Sequence, residues 1–256
     1  MKFLSIFKNS KKEDNVAPSQ NGAPEATAGN AKENQAPQTP EGEGKPLERN
    51  VYNLLILDES GSMCSIYEPA LTGVNETLQT IRGAQDEHPE QTHFVTLVAF
   101  DTGHYNEIYH NVEATKAADI TSEQYRPCGG TPLYDAMARA INEMDRVEKK
   151  EQDVVLVTII TDGYENASRE YNGKAIKALV EQMRKKNWVF TYIGANQDVE
   201  KVAESMAINN HMAFQADMAG TQMMFDKERR SRNVFFSKMS NSKDIHIDSD
   251  GYFTGF

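Results

Sequence analysis

Three short polar stretches of this 256-residue chain carry side chains that could do chemistry together. Asp58-Glu59-Ser60-Gly61-Ser62 directly follows the apolar run Leu54-Leu55-Ile56-Leu57. In an extended loop, side chains two apart point the same way, so Asp58, Ser60 and Ser62 can converge on one point. Gly129-Gly130-Thr131-Pro132 opens an apolar series that begins at Leu133, and Thr161-Asp162-Gly163 ends the most hydrophobic run in the chain, residues 154–160. Together they offer the carboxylates of Asp58 and Asp162 and the hydroxyls of Ser60, Ser62 and Thr131. An oxygen-only set of hard donors suits Mg²⁺, with Mn²⁺ or Ca²⁺ as alternatives, rather than zinc. Each stretch also has a plainer reading. Asp58 and the serines can cap a helix, Thr131 can be an N-cap before a proline at the first helical position, and Asp162-Gly163 can be a turn. Their shared position at strand ends decides for a site.

The elements that must position these groups are legible as alternating patterns. Residues 54–57 form a short apolar run typical of a strand buried on both faces. Leu71, Val74, Leu78 and Ile81 recur at helical spacing, and residues 94–100 are a second strand. Residues 105–112 alternate loosely after Gly103, as an antiparallel edge hairpin does. Leu133, Met137, Ile141, Met144 and Val147 mark a helix, and residues 154–160 the central strand. Ile176, Leu179, Val180 and Met183 mark another helix, followed by a strand over 188–193 that starts on a core Trp188. A short helix over 199–206, a brief strand over 211–214 and a long helix over 217–238 close the series; Met218, Met223 and Met224 of that helix read as core filler. Strands alternating with helices predict an α/β fold. Its central sheet is doubly wound and mostly parallel, with one antiparallel edge strand and helices on both faces. Ligands of such sheets bind beyond the C-terminal ends of the strands, where all three polar stretches fall.

Asp58-x-Ser60-x-Ser62, then Thr131, then Asp162, resembles the metal-ion-dependent adhesion site of von Willebrand factor type A (VWA) domains. The resemblance runs from about Val51 to Lys238 and includes the element order, the edge hairpin and the Thr-Pro helix start. It implies a Rossmann-like sheet, one divalent cation and no catalysis. Ser60, Ser62 and Thr131 would coordinate the ion, Asp58 and Asp162 would act through water, and a partner's Asp or Glu would complete the shell. Within the family, the chain is similar to compact bacterial members that are nearly all one domain, some of them cytoplasmic. The alternative is a metal-dependent phosphatase or hydrolase with Asp58 as nucleophile. The usual aspartyl-phosphatase pattern has a second Asp two residues on, where this chain has Ser60, and no Gly-x-Ser-x-Gly elbow surrounds Ser60.

Charge narrows the partners. Lys plus Arg number 27 and Asp plus Glu 38, a formal net charge of −11. Residues 1–49 carry seven basic and seven acidic side chains, so the whole excess lies on the remainder. That balance excludes a general nucleic-acid binder, which shows a basic face. No apolar run approaches the ~20 residues of a membrane helix. Residues 10–48 hold no Phe, Trp, Tyr, Ile or Met, so residues 1–49 read as a disordered tether. Its apolar tip at residues 3–7 is shorter than the core of a signal peptide and could make weak membrane-surface contact. The VWA domain is then expected over residues 50–239 and a flexible tail over 240–256. His104 and His110 read as solvated hairpin residues. Two cysteines exclude a disulfide scaffold and fit a reducing, cytoplasmic setting. Cys64 and Cys128 should both lie near the metal face, as free thiols or as a bridge across it.

Overall fold

The computed structural model describes residues 46–254. Six strands form one sheet: β1 (Arg49–Asp58), β2 (Gln91–Phe100), β3 (Tyr105–Glu113), β4 (Val154–Thr161), β5 (Trp188–Gly194) and β6 (Asn210–Ala213). Their spatial order is β3-β2-β1-β4-β5-β6, all parallel except β3, which pairs antiparallel with β2. The mostly parallel α/β fold with one antiparallel edge strand is therefore the observed one. Five helices lie between and after the strands: α1 (Tyr67–Glu87), α2 (Leu133–Asp145), α3 (Gly173–Arg184), α4 (Val199–Ser205) and α5 (Met218–Asn241).

The alternation along β1 explains the layers. Val51, Leu55 and Leu57 join a core with Val74 and Leu78 of α1 and Phe225 and Phe236 of α5. Tyr52, Leu54 and Ile56 point the other way, into a core with Met137 and Ile141 of α2 and Ile176 and Val180 of α3. Because β1 and β4 are covered on both faces, they read as continuous apolar runs rather than as alternating ones. Trp188 is buried, as its strand position predicts.

The α5-side layer also encloses polar side chains. Asn53 of β1 meets Arg232 of α5, which is wholly buried. Arg232 donates through Nη1 to Asn53 Oδ1 at 2.9 Å, and through Nη2 to Thr158 Oγ1 at 2.8 Å and Glu228 Oε1 at 2.7 Å. Arg232 Nε also donates to Glu228 Oε1 at 2.9 Å, and the Tyr252 hydroxyl adds a third bond to that oxygen at 3.0 Å. His93 of β2 is buried beside this knot, and its Nε2 has no hydrogen-bond partner among the described residues. Burial pushes the His93 imidazole down to about 3, with His88 and Arg232 adding to the fall.

The ends of the domain differ from the sequence expectation. Residues 1–45, and with them the apolar tip and most of the tether, lie outside the described residues. Arg49, placed in the tether, opens β1 and is buried, its guanidinium donating to the carbonyls of Ser242 and Asp244 at 3.4 and 3.1 Å. The tail expected to be flexible is packed: helix α5 runs on to Asn241, and Tyr252 is buried against Phe235. Asn210 holds the tail through Nδ2 to the Ser249 carbonyl at 2.6 Å, and accepts the Tyr252 N–H at 3.0 Å. One aromatic residue and a set of backbone carbonyls do this, which leaves no periodic trace in the sequence. Of the α5 methionines, Met224 is core, but Met218 and Met223 are 59% and 71% exposed.

Candidate metal centre

Strands β1 and β4 pair Leu57 with Ile160, so the residues that follow, Asp58 and Thr161, emerge side by side at the C-terminal edge. Thr161 Oγ1 donates to Asp58 Oδ2 at 2.6 Å, and the Ser60 N–H donates to Oδ1 at 2.7 Å. Asp58 is thus fully buried with both carboxylate oxygens engaged. Farther out, Ser60 Oγ lies 3.1 Å from Ser62 Oγ, and Ser62 Oγ donates to Asp162 Oδ1 at 2.5 Å. Four of the five anticipated residues therefore form one hydrogen-bonded line across two loops. The serines are not caps: Ser60 precedes the 3-10 turn Gly61–Ile66 without a side-chain capping bond.

Thr131 belongs to a third loop that is stitched to the first. The Gly61 N–H donates to the Gly129 carbonyl at 3.0 Å, and the Cys128 N–H donates to the Glu59 carbonyl at 2.8 Å. Gly129 holds a left-handed φ of +68°, and a Cβ there would sit 2.4 Å from Thr102 Oγ1. A side chain at 129 would thus displace the loop that carries Thr131. The plainer reading of Thr131 as the cap of α2 does not hold, since the N-cap position is Pro132 and the helix begins at Leu133. Instead Asn166 Oδ1 accepts the Thr131 N–H at 2.9 Å, and the Asn166 N–H donates to the Thr131 carbonyl at 3.1 Å. Thr131 is buried, and its hydroxyl has no hydrogen-bond partner among the described residues.

Burial dominates the electrostatics. It pushes Asp58 up to about 6, against the hydrogen bonds from Thr161 and Ser60, and nearby Asp162 adds to the rise. Asp162 is raised by burial too, with Ser62 opposing. No basic side chain contributes to either shift. Two carboxyls short of positive charge, beside three hydroxyls of which one is unpartnered, fit a hard divalent cation. Among the described residues, no group of three or more His, Cys, Asp or Glu is placed to hold a metal. A cation here would rest on hydroxyl oxygens as much as on carboxylates.

Three supporting residues escape a reading of the motif alone. Thr161 and Asn166 hold Asp58 and Thr131 as described, and Asn196 Nδ2 donates to the Asp162 carbonyl at 2.9 Å. The equal ends of β1 and β4 could have pointed to Thr161; no spacing marks the other two. His104 and His110 are exposed and pair with Asp101 and Glu107 of the hairpin. Both cysteines are exposed free thiols, and Cys64 Sγ lies 3.6 Å from the Pro127 carbonyl oxygen.

The profile of the von Willebrand factor type A domain matches residues 54–227. The chain belongs to the VWA family. No curated protein sequence matches this VWA chain. Among solved structures it is similar to the pilus adhesin SpaC from Lactobacillus rhamnosus GG, at 13% identity and a TM-score of 0.52 over 74% of this chain and 31% of that one. It is similar as well to the D319A mutant of the PilB minor pilin from Streptococcus sanguinis, at 13% identity and TM-score 0.50 over 80% and 65%. The vWF domain of the type V pili tip protein Mfa5 from Porphyromonas gingivalis gives 9% identity and TM-score 0.50 over 73% and 96%. The chain spans less than two thirds of the SpaC and PilB structures, and at these identities the likeness is one of fold.

Proposed function

We propose that this VWA domain is a non-catalytic protein-binding module that uses a divalent cation, Mg²⁺ first, to recognise an acidic side chain of its partner. The observation that carries the reading is the division of labour at the strand ends. Asp58 is buried with both oxygens engaged, whereas the Thr131 hydroxyl makes no hydrogen bond among the described residues and is not fully enclosed. Ser60, Ser62 and Thr131 would hold the ion directly, and Asp58 and Asp162 would support it through water. When bound, the ion supplies positive charge that attracts a carboxylate. Neutral hydroxyls leave it short of negative charge, so a partner's Asp or Glu gains a strong interaction. Recognition is then confined to this face, because the rest of a surface carrying −11 repels acidic ligands. The pilus adhesin among the fold neighbours is consistent with a protein-binding role.

The same geometry weighs against the phosphatase alternative. A nucleophilic Asp58 would have to leave Thr161 and the Ser60 N–H, from a position with no exposed surface. Calorimetric titration of Mg²⁺ and Mn²⁺ into wild type and Asp162→Ala tests the cation. Equal binding by both would sink the assignment. Affinity capture with and without chelator tests the partner. Turnover of phosphate esters that vanishes in Asp58→Ala would favour the enzyme instead.

A further inference from the structure

The chain contains two cysteines, and the fold brings both to the rim of the candidate centre. Cys64 lies in the 3-10 turn that starts just after Ser60, and Cys128 immediately precedes the Gly129-Gly130-Thr131 loop. Both are exposed and both are free. The two segments are neighbours, not merely near one region. Backbone bonds link Cys128 to Glu59 at 2.8 Å and Gly61 to Gly129 at 3.0 Å. A Cβ placed on Gly61 would come within 4.0 Å of the Cys128 carbonyl carbon. Cys64 Sγ itself sits 3.6 Å from the carbonyl oxygen of Pro127, the residue bonded to the Cys128 nitrogen. The hydrogen bond it makes there is weak, since sulfur is a poor donor, so it offers little resistance to a turn of the side chain.

We propose that Cys64 and Cys128 form a thiol modification site. They close into one intramolecular disulfide by exchange with a low-molecular-weight disulfide such as oxidised glutathione. In the first exchange one protein thiolate attacks a glutathione sulfur, giving a mixed disulfide and releasing one glutathione thiolate. In the second the other cysteine attacks the protein sulfur of that mixed disulfide, the S–S bond forms and the second glutathione leaves. The two protein thiols lose two electrons and two protons, and one glutathione disulfide becomes two glutathione thiols. The closure requires a Cα separation of no more than about 7 Å, and the nearest approach is Cys64 Sγ to the Pro127 carbonyl oxygen at 3.6 Å.

The bond would tie the loop carrying Ser60 and Ser62 to the loop carrying Thr131. Resting on the cation reading above, this removes loop freedom that cation binding must otherwise remove, so the oxidised protein binds Mn²⁺ several-fold more tightly than the reduced one. The experiment treats the full chain with oxidised glutathione, maps the products by mass spectrometry, and titrates Mn²⁺ into the reduced and oxidised forms, with Cys64→Ser and Cys128→Ser as single-thiol controls. The expected product is a monomer that has lost two hydrogens and carries a Cys64–Cys128 peptide, while each control stops at a single glutathione adduct. Two separate glutathione adducts on wild type, or disulfide-linked dimers, overturn the proposal. So does an internal disulfide that leaves Mn²⁺ affinity unchanged or lower. If the reduced protein binds no Mn²⁺, the cation reading fails on its own, and the mapped disulfide alone decides for or against the thiol site.

Discussion

Two polar regions of this domain sit in buried surroundings and are satisfied in opposite ways. The knot under α5 pairs its charges within the chain, although Glu228 Oε2 has no hydrogen-bond partner among the described residues. Arg232 spends its donors on Asn53, Thr158 and Glu228, and Tyr252 caps the same Glu228 oxygen. The strand-end cluster does not close. Its two carboxyls lie at opposite ends of a line of hydroxyls without a basic side chain among the causes of their shifts, and burial holds Asp58 up at about 6. A charge buried with its counter-charge secures packing, whereas carboxyls buried without one raise the cost of the empty fold and favour whatever cation relieves it. Polar burial is thus structural in one region and receptive in the other, and the difference lies in whether the positive charge comes from the chain.

The largest effect should come from breaking the closed region. Arg232→Met leaves Glu228 buried and uncompensated, and should cost about 3–5 kcal/mol by chemical denaturation. Adding Glu228→Gln in the same chain should recover part of that loss. A single-variant cost below about 1 kcal/mol would show that the knot does not secure α5.

The two regions should also respond to pH with opposite signs in cation-free protein. Asp58 has a raised folded value, from an ordinary 3.8 to about 6. Its contribution to stability is therefore complete below pH 3.8 and is lost as pH rises through 6, a swing of roughly 3 kcal/mol. His93 has a depressed value, from 6.5 to about 3. Its contribution is complete above pH 6.5 and is lost as pH falls toward 3, by up to about 1.4 kcal/mol per pH unit. The slopes oppose each other between pH 4 and 6. Stability of Asp58→Asn should therefore rise with pH across that interval, and stability of His93→Gln should fall. Denaturation series on both variants that run parallel to wild type would remove the contrast.

Cation relief sharpens it further. Mg²⁺ at about a hundred times its dissociation constant should stabilise wild type at neutral pH by about 2.7 kcal/mol. The same addition should do nothing for Asp162→Ala, as thermal melts with and without chelator will show. The smallest effect concerns the unpartnered hydroxyl. Thr131→Ala should weaken Mn²⁺ binding several-fold in a calorimetric titration yet shift unfolding stability by less than about 1 kcal/mol, since no bond within the chain is lost. A large stability loss would mean that Thr131 belongs with the closed region.

The open region was far more legible in the sequence than the closed one. Asp58, Ser60, Ser62 and Asp162 stand at the ends of predominantly apolar runs, and a parallel sheet collects such ends on one edge. The sheet was readable for the same reason, because strands buried on both faces are mostly apolar, with Asn53 and Thr158 as buried exceptions. Arg232 and Glu228 sit four apart on a charged stretch of α5, the spacing of an ordinary solvated pair, and only the packing of α5 on Asn53 and Thr158 makes them core. The ordered tail and Arg49 were missed because backbone carbonyls and one tyrosine, rather than any pattern, tie them down. For Thr131 the plainer capping reading falls away, since Pro132 takes the N-cap position and the helix starts at Leu133.

The position of β1 at the middle of the sheet has a consequence for biosynthesis. Its partners are β2 on one side and β4 on the other, and Thr161, which braces Asp58, lies 103 residues further along the chain. At a synthesis rate of about 5–20 residues per second, β1 waits roughly 5–20 s for that neighbour. Throughout that interval, one long apolar edge of the nascent chain is open to stray strand pairing. The ribosome delivers the candidate centre in three instalments, at 58–62, at 131 and at 162, and none of them can be braced by β4 before the last has emerged. Stalled or truncated chains that end before β4 should therefore be clients for chaperones and proteases rather than partial binders.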